Sequence, residues 1–215
     1  MEWYEDEVRQ LEESLSRRTL PADPVVFYGS STIRLWESLA DDLADTRALN
    51  LGFGGSTLEA CAYFFERLVS PIKPRSLVVY AGDNDLGDGR KPKEVLSFFR
   101  ALAGKVDRDG NTVEFAFISI KPSPARFDLL PRIRKTNRLI QNEIAAHADY
   151  YFINVFDAML DGDGKPQPEL FTDDGLHLSP AGYRLWTKLL SPYRDWIFPR
   201  SPALPGNRTP YSDGR

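Results

Sequence analysis

The chain has 215 residues, enough for one domain with a sizeable core, and its composition, 42% hydrophobic and 27% charged, is ordinary for a globular protein. A formal net charge of −4 argues against the broad basic footprint that nucleic acid needs, and the single cysteine, Cys61, excludes an internal disulfide and any multi-cysteine metal site. No apolar run approaches the roughly 20 residues that span a membrane, and the acidic start, Met1 to Glu7, has neither a basic nor an apolar leader, so the expected location is the cytoplasm.

Residues 2 to about 18 carry apolar side chains at Trp3, Val8, Leu11 and Leu15, a spacing that predicts a surface helix with one packed stripe. Pro21 and Pro24 turn the chain into an apolar run, Val25-Val26-Phe27-Tyr28, which breaks at Gly29 and meets the hydroxyl cluster Ser30-Ser31-Thr32. That is the pattern of a buried strand, a tight turn and a helix start, the helix running to about Ala44. A second strand over Arg47–Leu51 ends in Gly52-Phe53-Gly54-Gly55-Ser56. Helix resumes near Leu58, with Cys61 in it as a small core residue, until Pro71 and Pro74 break it. Ser76–Ala81 is a third strand, apolar enough in its middle to be buried on both faces, and it stops at Gly82-Asp83-Asn84-Asp85.

A helix follows from Pro92 to about Gly104, then a fourth strand over Thr112–Ile120 and the turn Lys121-Pro122-Ser123-Pro124. A long helix runs to about Ala148, and Tyr150–Val155 is a fifth strand. A last helix starts at Pro180 with Ser179 as its cap and continues to about Trp196. Five strands alternating with helices predict an α/β fold with a parallel sheet, helices on both faces and right-handed crossovers. One domain is expected over residues 1–197, made of the N-terminal helix over 1–18 and a core over 25–196, and a proline-rich tail over 198–215.

The chemistry collects just beyond the strand ends, which in a parallel sheet lie on one edge, where such folds place ligands. Strand one delivers Ser30, Ser31 and Thr32, strand two Gly54, Gly55 and Ser56, strand three Asp83, Asn84 and Asp85, and the loop after strand five Asp174 and His177. Each has an ordinary alternative: a Ser or Thr at a helix start is usually a cap, a glycine run is a turn, and an Asn after a strand makes an Asx-turn. Their convergence on one edge is the stronger signal. A Ser hydroxyl needs a base to become a nucleophile, and His suits that task at neutral pH. His147 sits near a helix C-terminus, where a histidine has a structural reason to be. His177 has Asp174 three residues upstream, close enough to fix its tautomer, although it also reads as a loop residue beside a cap. An oxyanion needs donors in place, and the bare N–H of Gly55 and the amide of Asn84 are candidates.

These residues resemble the SGNH hydrolases, the GDSL lipase/esterase superfamily, whose four blocks occur here in the family's order. Gly29-Ser30-Ser31-Thr32 resembles the nucleophile block, with Ser31 at the serine and Ser30 where an Asp is usual. Asn50-Leu51-Gly52-Phe53-Gly54-Gly55, Gly82-Asp83-Asn84-Asp85 and Asp174-Gly175-Leu176-His177 resemble the other three. The resemblance, nearest in flavour to the platelet-activating-factor acetylhydrolase-like branch, implies a three-layer α/β/α flavodoxin-like fold with strand order 2-1-3-4-5. It implies a serine esterase acting on carboxylic esters or thioesters of small acyl groups without metal or cofactor. Ser31 would be the nucleophile, His177 its base and Asp174 the orienting carboxylate. The N–H groups of Ser31 and Gly55 and the Asn84 amide would form the oxyanion hole.

Other readings are weaker. The acidic loop from Asp83 superficially resembles a calcium loop, but Gly87 and Asp88 stand where a ligand and a glycine are needed. A flavodoxin-like module could hold a phosphate or nucleotide at the hydroxyl turn, yet would not need Asp174 and His177. An inactive relative that only binds a partner is the third. Trp36, Phe53 and Phe127 are aromatic candidates for substrate-pocket walls, and each could equally be core. Short segments after the first three strands leave little for a lid, so an open site for short acyl chains is expected. The expected partner is a small-molecule ester, with no nucleic acid and no membrane span. The aromatic N-terminal helix and the proline-rich tail are the surfaces on which a homo-oligomer could form.

Overall fold

The computed structural model describes residues 1–44, 47–109 and 114–197. The expected tail over 198–215, and Thr112 and Val113 of the expected fourth strand, lie outside the described residues. The strands are β1 (Val25–Gly29), β2 (Ala48–Gly52), β3 (Ser76–Tyr80), β4 (Glu114–Ile118) and β5 (Tyr150–Ile153). They form one parallel sheet in the order β2-β1-β3-β4-β5, the expected doubly wound topology. The helices are α1 (Glu5–Ser16), α2 (Ser31–Arg34), α3 (Leu39–Asp42), α4 (Leu58–Leu68), α5 (Asp83–Gly87), α6 (Pro92–Arg108), α7 (Leu130–Ile144), α8 (Pro180–Leu190) and α9 (Arg194–Ile197).

Strand parity sorts the core into two layers, because successive side chains leave opposite faces of a sheet. Val26, Tyr28, Leu77, Val79, Phe115 and Phe117 face α1, α4, α6 and α7. Val25, Phe27, Val78, Tyr80, Ala116 and Ile118 face α2, α3 and α8. Every residue of β1 and β3 is buried, as expected of central parallel strands covered on both sides. Cys61 is fully buried in α4, and burial pushes its thiol well above the ordinary range.

The expected helix from Ile33 to about Ala44 is two short helices. Between them Trp36 turns inward, 1% exposed, against Phe27, Tyr183 and Trp186, and its indole N–H donates to Asp42 at 2.7 Å. Seating that indole interrupts the helix. The last helix also breaks earlier than expected, because Pro192 has no N–H to continue it; a 3-10 turn over Ser191–Tyr193 joins α8 to α9. Trp3, assigned to the packed stripe of the first helix, is 87% exposed. It lies in a 3-10 turn over Glu2–Tyr4, whose tighter winding sends Tyr4 toward Phe53 and Phe64 instead.

Pairing aligns the carboxyl ends of the central strands: Gly29 of β1 lies beside Gly52 of β2 and Tyr80 of β3. Gly29 has φ of 138°, and a Cβ there would stand 1.9 Å from the Tyr80 carbonyl oxygen. Only glycine lets the chain turn so sharply against its neighbour. Ser30, Phe53 and Ala81 therefore emerge side by side on one edge.

Candidate active site

At the end of β1, Ser30 remains extended as the N-cap of α2, and its N–H donates to the Tyr80 carbonyl at 2.9 Å. Its hydroxyl is buried and has no hydrogen-bond partner among the described residues. Ser31, one residue on, begins α2, and its Oγ lies 2.9 Å from Nε2 of His177, across 146 residues of sequence. Of the two neighbouring hydroxyls, only that of Ser31 meets the imidazole. The Ser31 N–H is among those that a helix start leaves without an intrahelical acceptor.

His177 and Asp174 lie in the turn before α8. Asp174 Oδ2 accepts from His177 Nδ1 at 2.6 Å. Its other oxygen accepts from the backbone N–H of Leu176 and His177, at 2.8 and 2.9 Å, and from the Thr172 hydroxyl at 2.9 Å. Desolvation opposes its charge, but these bonds outweigh it and hold the carboxyl well below the ordinary carboxylate range. The carboxylate is thus ionised and aimed at the imidazole. Ser179 caps α8 through the Gly182 N–H. His147 stands apart from this cluster and stacks on Tyr150 with ring centroids 4.3 Å apart.

Gly55 follows β2 with φ of 66°, and its N–H donates to no group among the described residues. Asn84 lies in the one-turn helix α5, where only a strand end and an acidic loop were expected. Its amide is held at both ends: Nδ2 donates to the Ser56 carbonyl at 3.0 Å, and Oδ1 accepts from Arg126 Nη2 at 2.9 Å. An amide has two N–H hydrogens, so one remains to donate elsewhere.

Arg126 was not foreseen as a site residue. It belongs to a 3-10 segment over Pro124–Leu129, where a regular helix was expected, and its backbone leaves the helical region at φ −126°, ψ 31°. That kink carries the guanidinium inward to Asn84 and to Asp83, whose Oδ2 lies 3.2 Å from Nη1. Asp83 is also paired with Lys121 at 3.1 Å, and the two side chains are only 6% and 1% exposed. Lys121 donates further to the Tyr80 hydroxyl at 3.0 Å and to Thr32 at 3.3 Å. Burial opposes both charges. Around Asp83 the two cations prevail and hold its carboxyl low, while burial draws Lys121 below its ordinary range against the pull of Asp83. Lys121 and Arg126 thus flank the Asp83 carboxylate next to Asn84. Lys121 follows the end of the fourth strand on the same sheet edge, and that position was the available signal.

The aromatic candidates divide. Trp36 and Phe53 are 1% and 0% exposed core residues and line no open pocket, because strand and helix packing turns both rings inward. Phe127, 49% exposed next to Arg126, remains at the surface. Among the described residues no helix is long and apolar enough to cross a membrane.

The family model described as GDSL-like Lipase/Acylhydrolase matches residues 22–185. The fold is similar to that of a protein from Streptococcus pneumonia provisionally named a platelet activating factor, at 24% identity, covering 89% of this chain and 94% of that one, with a TM-score of 0.78. It is similar to a GDSL-like lipase from Bacteroides thetaiotaomicron, at 20% identity, 86% and 95% coverage and a TM-score of 0.71. A lipase/acylhydrolase from Enterococcus faecalis has 20% identity, 84% and 99% coverage and a TM-score of 0.69. No curated protein matches the chain.

Proposed function

The chain belongs to the GDSL-like lipase/acylhydrolase family of serine hydrolases, whose members hydrolyse esters, and from that premise we propose that it cleaves carboxylic esters or thioesters of small acyl groups with Ser31 as nucleophile. The observation that carries the reading is the chain of contacts Ser31 Oγ to His177 Nε2 at 2.9 Å and His177 Nδ1 to Asp174 Oδ2 at 2.6 Å. With Nδ1 donating to Asp174, Nε2 is the basic nitrogen and faces the hydroxyl.

In this mechanism Ser31 Oγ attacks the acyl carbon as His177 takes its proton. The new charge on the carbonyl oxygen is met by the N–H groups of Ser31 and Gly55 and by the free amide hydrogen of Asn84. His177 then returns the proton to the departing alcohol or thiol, leaving an acyl-Ser31 ester. Water attacks that ester with His177 again as base, and the acid leaves with Ser31 restored. Asp174 stabilises the imidazolium formed in each half. Arg126 acts through Asn84, polarising its carbonyl and fixing which way the amide points.

The preference for small acyl groups is supported by the connections around Ser31. Only Ser30 separates β1 from α2, and only Ala81 and Gly82 separate β3 from α5, so neither can form a lid. Phe127 is the aromatic side chain offered to substrate.

Labelling with a fluorophosphonate and mapping the adduct tests the assignment. The expected result is an adduct on Ser31 that disappears in His177→Ala. An adduct on Ser30 would move the nucleophile, and no adduct in folded protein would favour a binding module or an inactive relative.

A further inference from the structure

We infer that the N-terminal segment, the turn over Glu2–Tyr4 and α1, which lies outside the family match over residues 22–185, positions the oxyanion glycine through Tyr4 and Glu7. The inference rests on the reading of the Gly55 N–H as an oxyanion donor.

The Gly54–Gly55 peptide is the weak point of such a hole. Neither residue has a Cβ, so the peptide plane between them can rotate with little steric resistance and turn its N–H away. No neighbour among the described residues holds that peptide by its N–H. The peptides on either side of it close a turn on each other, Ser56 N–H donating to the Phe53 carbonyl at 3.4 Å, and each is tied further to the N-terminal segment. Gly54 N–H donates to Glu7 Oε2 at 2.7 Å, and the Gly55 carbonyl accepts from the Tyr4 hydroxyl at 3.3 Å. With both flanking peptides anchored, the Cα atoms of Gly54 and Gly55 are fixed in place, and with them the point from which the N–H of Gly55 projects.

Glu7 also reaches the nucleophile side. Its Oε1 lies 3.3 Å from Nε of Arg34, the last residue of the helix that Ser31 begins. One carboxylate therefore ties the nucleophile helix to the oxyanion loop. A Cβ on Gly54 would stand 3.0 Å from Glu7 Oε2, so the close approach favours glycine there.

The helix does not depend on Glu7 for its own attachment. Val8 is fully buried, Tyr4 packs edge-on against Phe53 and Phe64, and Arg67 of α4 holds Glu5 and Glu12 at 2.9 and 2.8 Å. Glu7 and Tyr4 are thus positioning residues whose polar groups can be removed without detaching α1.

The test compares Glu7→Ala, Glu7→Gln, Tyr4→Phe and, as a control on the same helix, Glu12→Gln, using p-nitrophenyl acetate and a boronic acid that forms a tetrahedral adduct on Ser31. Glu7→Ala should lower kcat about 10-fold or more with KM nearly unchanged, as expected for losing a charge-assisted hydrogen bond that matters in the transition state. Boronate affinity should fall by a similar factor. Glu7→Gln keeps an acceptor for Gly54 N–H and should stay within about 3-fold of wild type, Tyr4→Phe should lose a few-fold, and Glu12→Gln nothing. Hydrogen exchange at the Gly54 amide, faster in Glu7→Ala than in Glu12→Gln, gives a readout independent of turnover. The clamp is overturned if wild type labels on Ser31 while Glu7→Ala keeps full kcat. It is equally overturned if Glu7→Ala loses turnover but keeps boronate affinity and Gly54 protection. If wild type shows neither turnover nor a Ser31 adduct, the esterase reading falls and takes the clamp with it.

Discussion

Replacing Arg126 with Met removes the guanidinium while keeping much of the side chain's length. Two interactions go, the bond to Asn84 Oδ1 at 2.9 Å and the ion pair with Asp83 at 3.2 Å. Asn84 keeps its bond to the Ser56 carbonyl at 3.0 Å, so its amide is held at one end instead of two. A hydrogen bond to a charged group contributes about 1.5–3 kcal/mol, and each 1.4 kcal/mol is tenfold in rate, so kcat should fall about 10- to 100-fold. That is smaller than the roughly 100- to 1000-fold expected when an oxyanion donor is removed outright, as in Asn84→Ala. KM for p-nitrophenyl acetate should stay within about twofold, because the donor acts on charge that only develops in the transition state. Steady-state kinetics on the two single variants and the double variant decide the matter. In the Asn84→Ala background, Arg126→Met should cost almost nothing further. An equal loss of kcat in both backgrounds would show that Arg126 does not act through Asn84. A thermal melt of each variant separates this from partial unfolding.

Other outcomes follow from the same geometry. Asp174→Asn should leave a folded protein whose kcat is lower by on the order of 100- to 10,000-fold, since the ionised carboxylate that supports the imidazolium is gone; near-normal turnover would remove Asp174 from the mechanism. Lys121→Met strands Asp83 with only Arg126 and should cost about 3–5 kcal/mol, a fall of about 10 °C in melting temperature for a chain of this size; a shift below about 2 °C refutes the buried pair. Burial pushes Asp85 up to about 6, against the pull of the Leu58 N–H, which donates to its Oδ2 at 2.9 Å. Its folded value lies above the unfolded value of about 3.9, so stability should decline as pH rises from about 4 to about 6 and stay lower beyond, by about 3 kcal/mol. Asp85→Asn should therefore raise the melting temperature at about pH 7.5 but not at about pH 3.5, and equal shifts at both would contradict that origin. A series of p-nitrophenyl esters should peak at the shortest acyl chains, and a maximum at long chains would rule out the small-acyl reading.

Local pattern carried the sheet. Val25–Tyr28 and Leu77–Tyr80 are apolar runs bounded by breakers, and such runs become buried parallel strands wherever helices follow them. The shared edge came with that alternation, which is why the hydroxyl turn at Ser30–Thr32, Gly55, Asn84, Asp174 and His177 could be named together, whereas the strand order and the choice of Ser31 came from the family resemblance. Periodicity is silent on where a helix is interrupted by a buried group. Trp36 breaks the second helical stretch because its indole is worth more packed against Phe27 and Trp186 than in a continuous surface helix. The same silence hid Arg126, whose inward path depends on one non-helical residue in an expected helix.

Residues far apart in sequence met only through the tertiary fold. Ser30 and Ser31 are alike as neighbours in a chain; the turn over Gly29 buries one hydroxyl and sets the other against an imidazole 146 residues away. Glu7 reads as one acid among several on a solvated helix. Its bond to Gly54, 47 residues on, exists because α1 packs beside α4 and passes over the glycine loop. Strands and helices are written in short-range repeats of polarity, whereas the partners of a polar group are chosen by which loops the folded sheet edge brings within about 3 Å of one another.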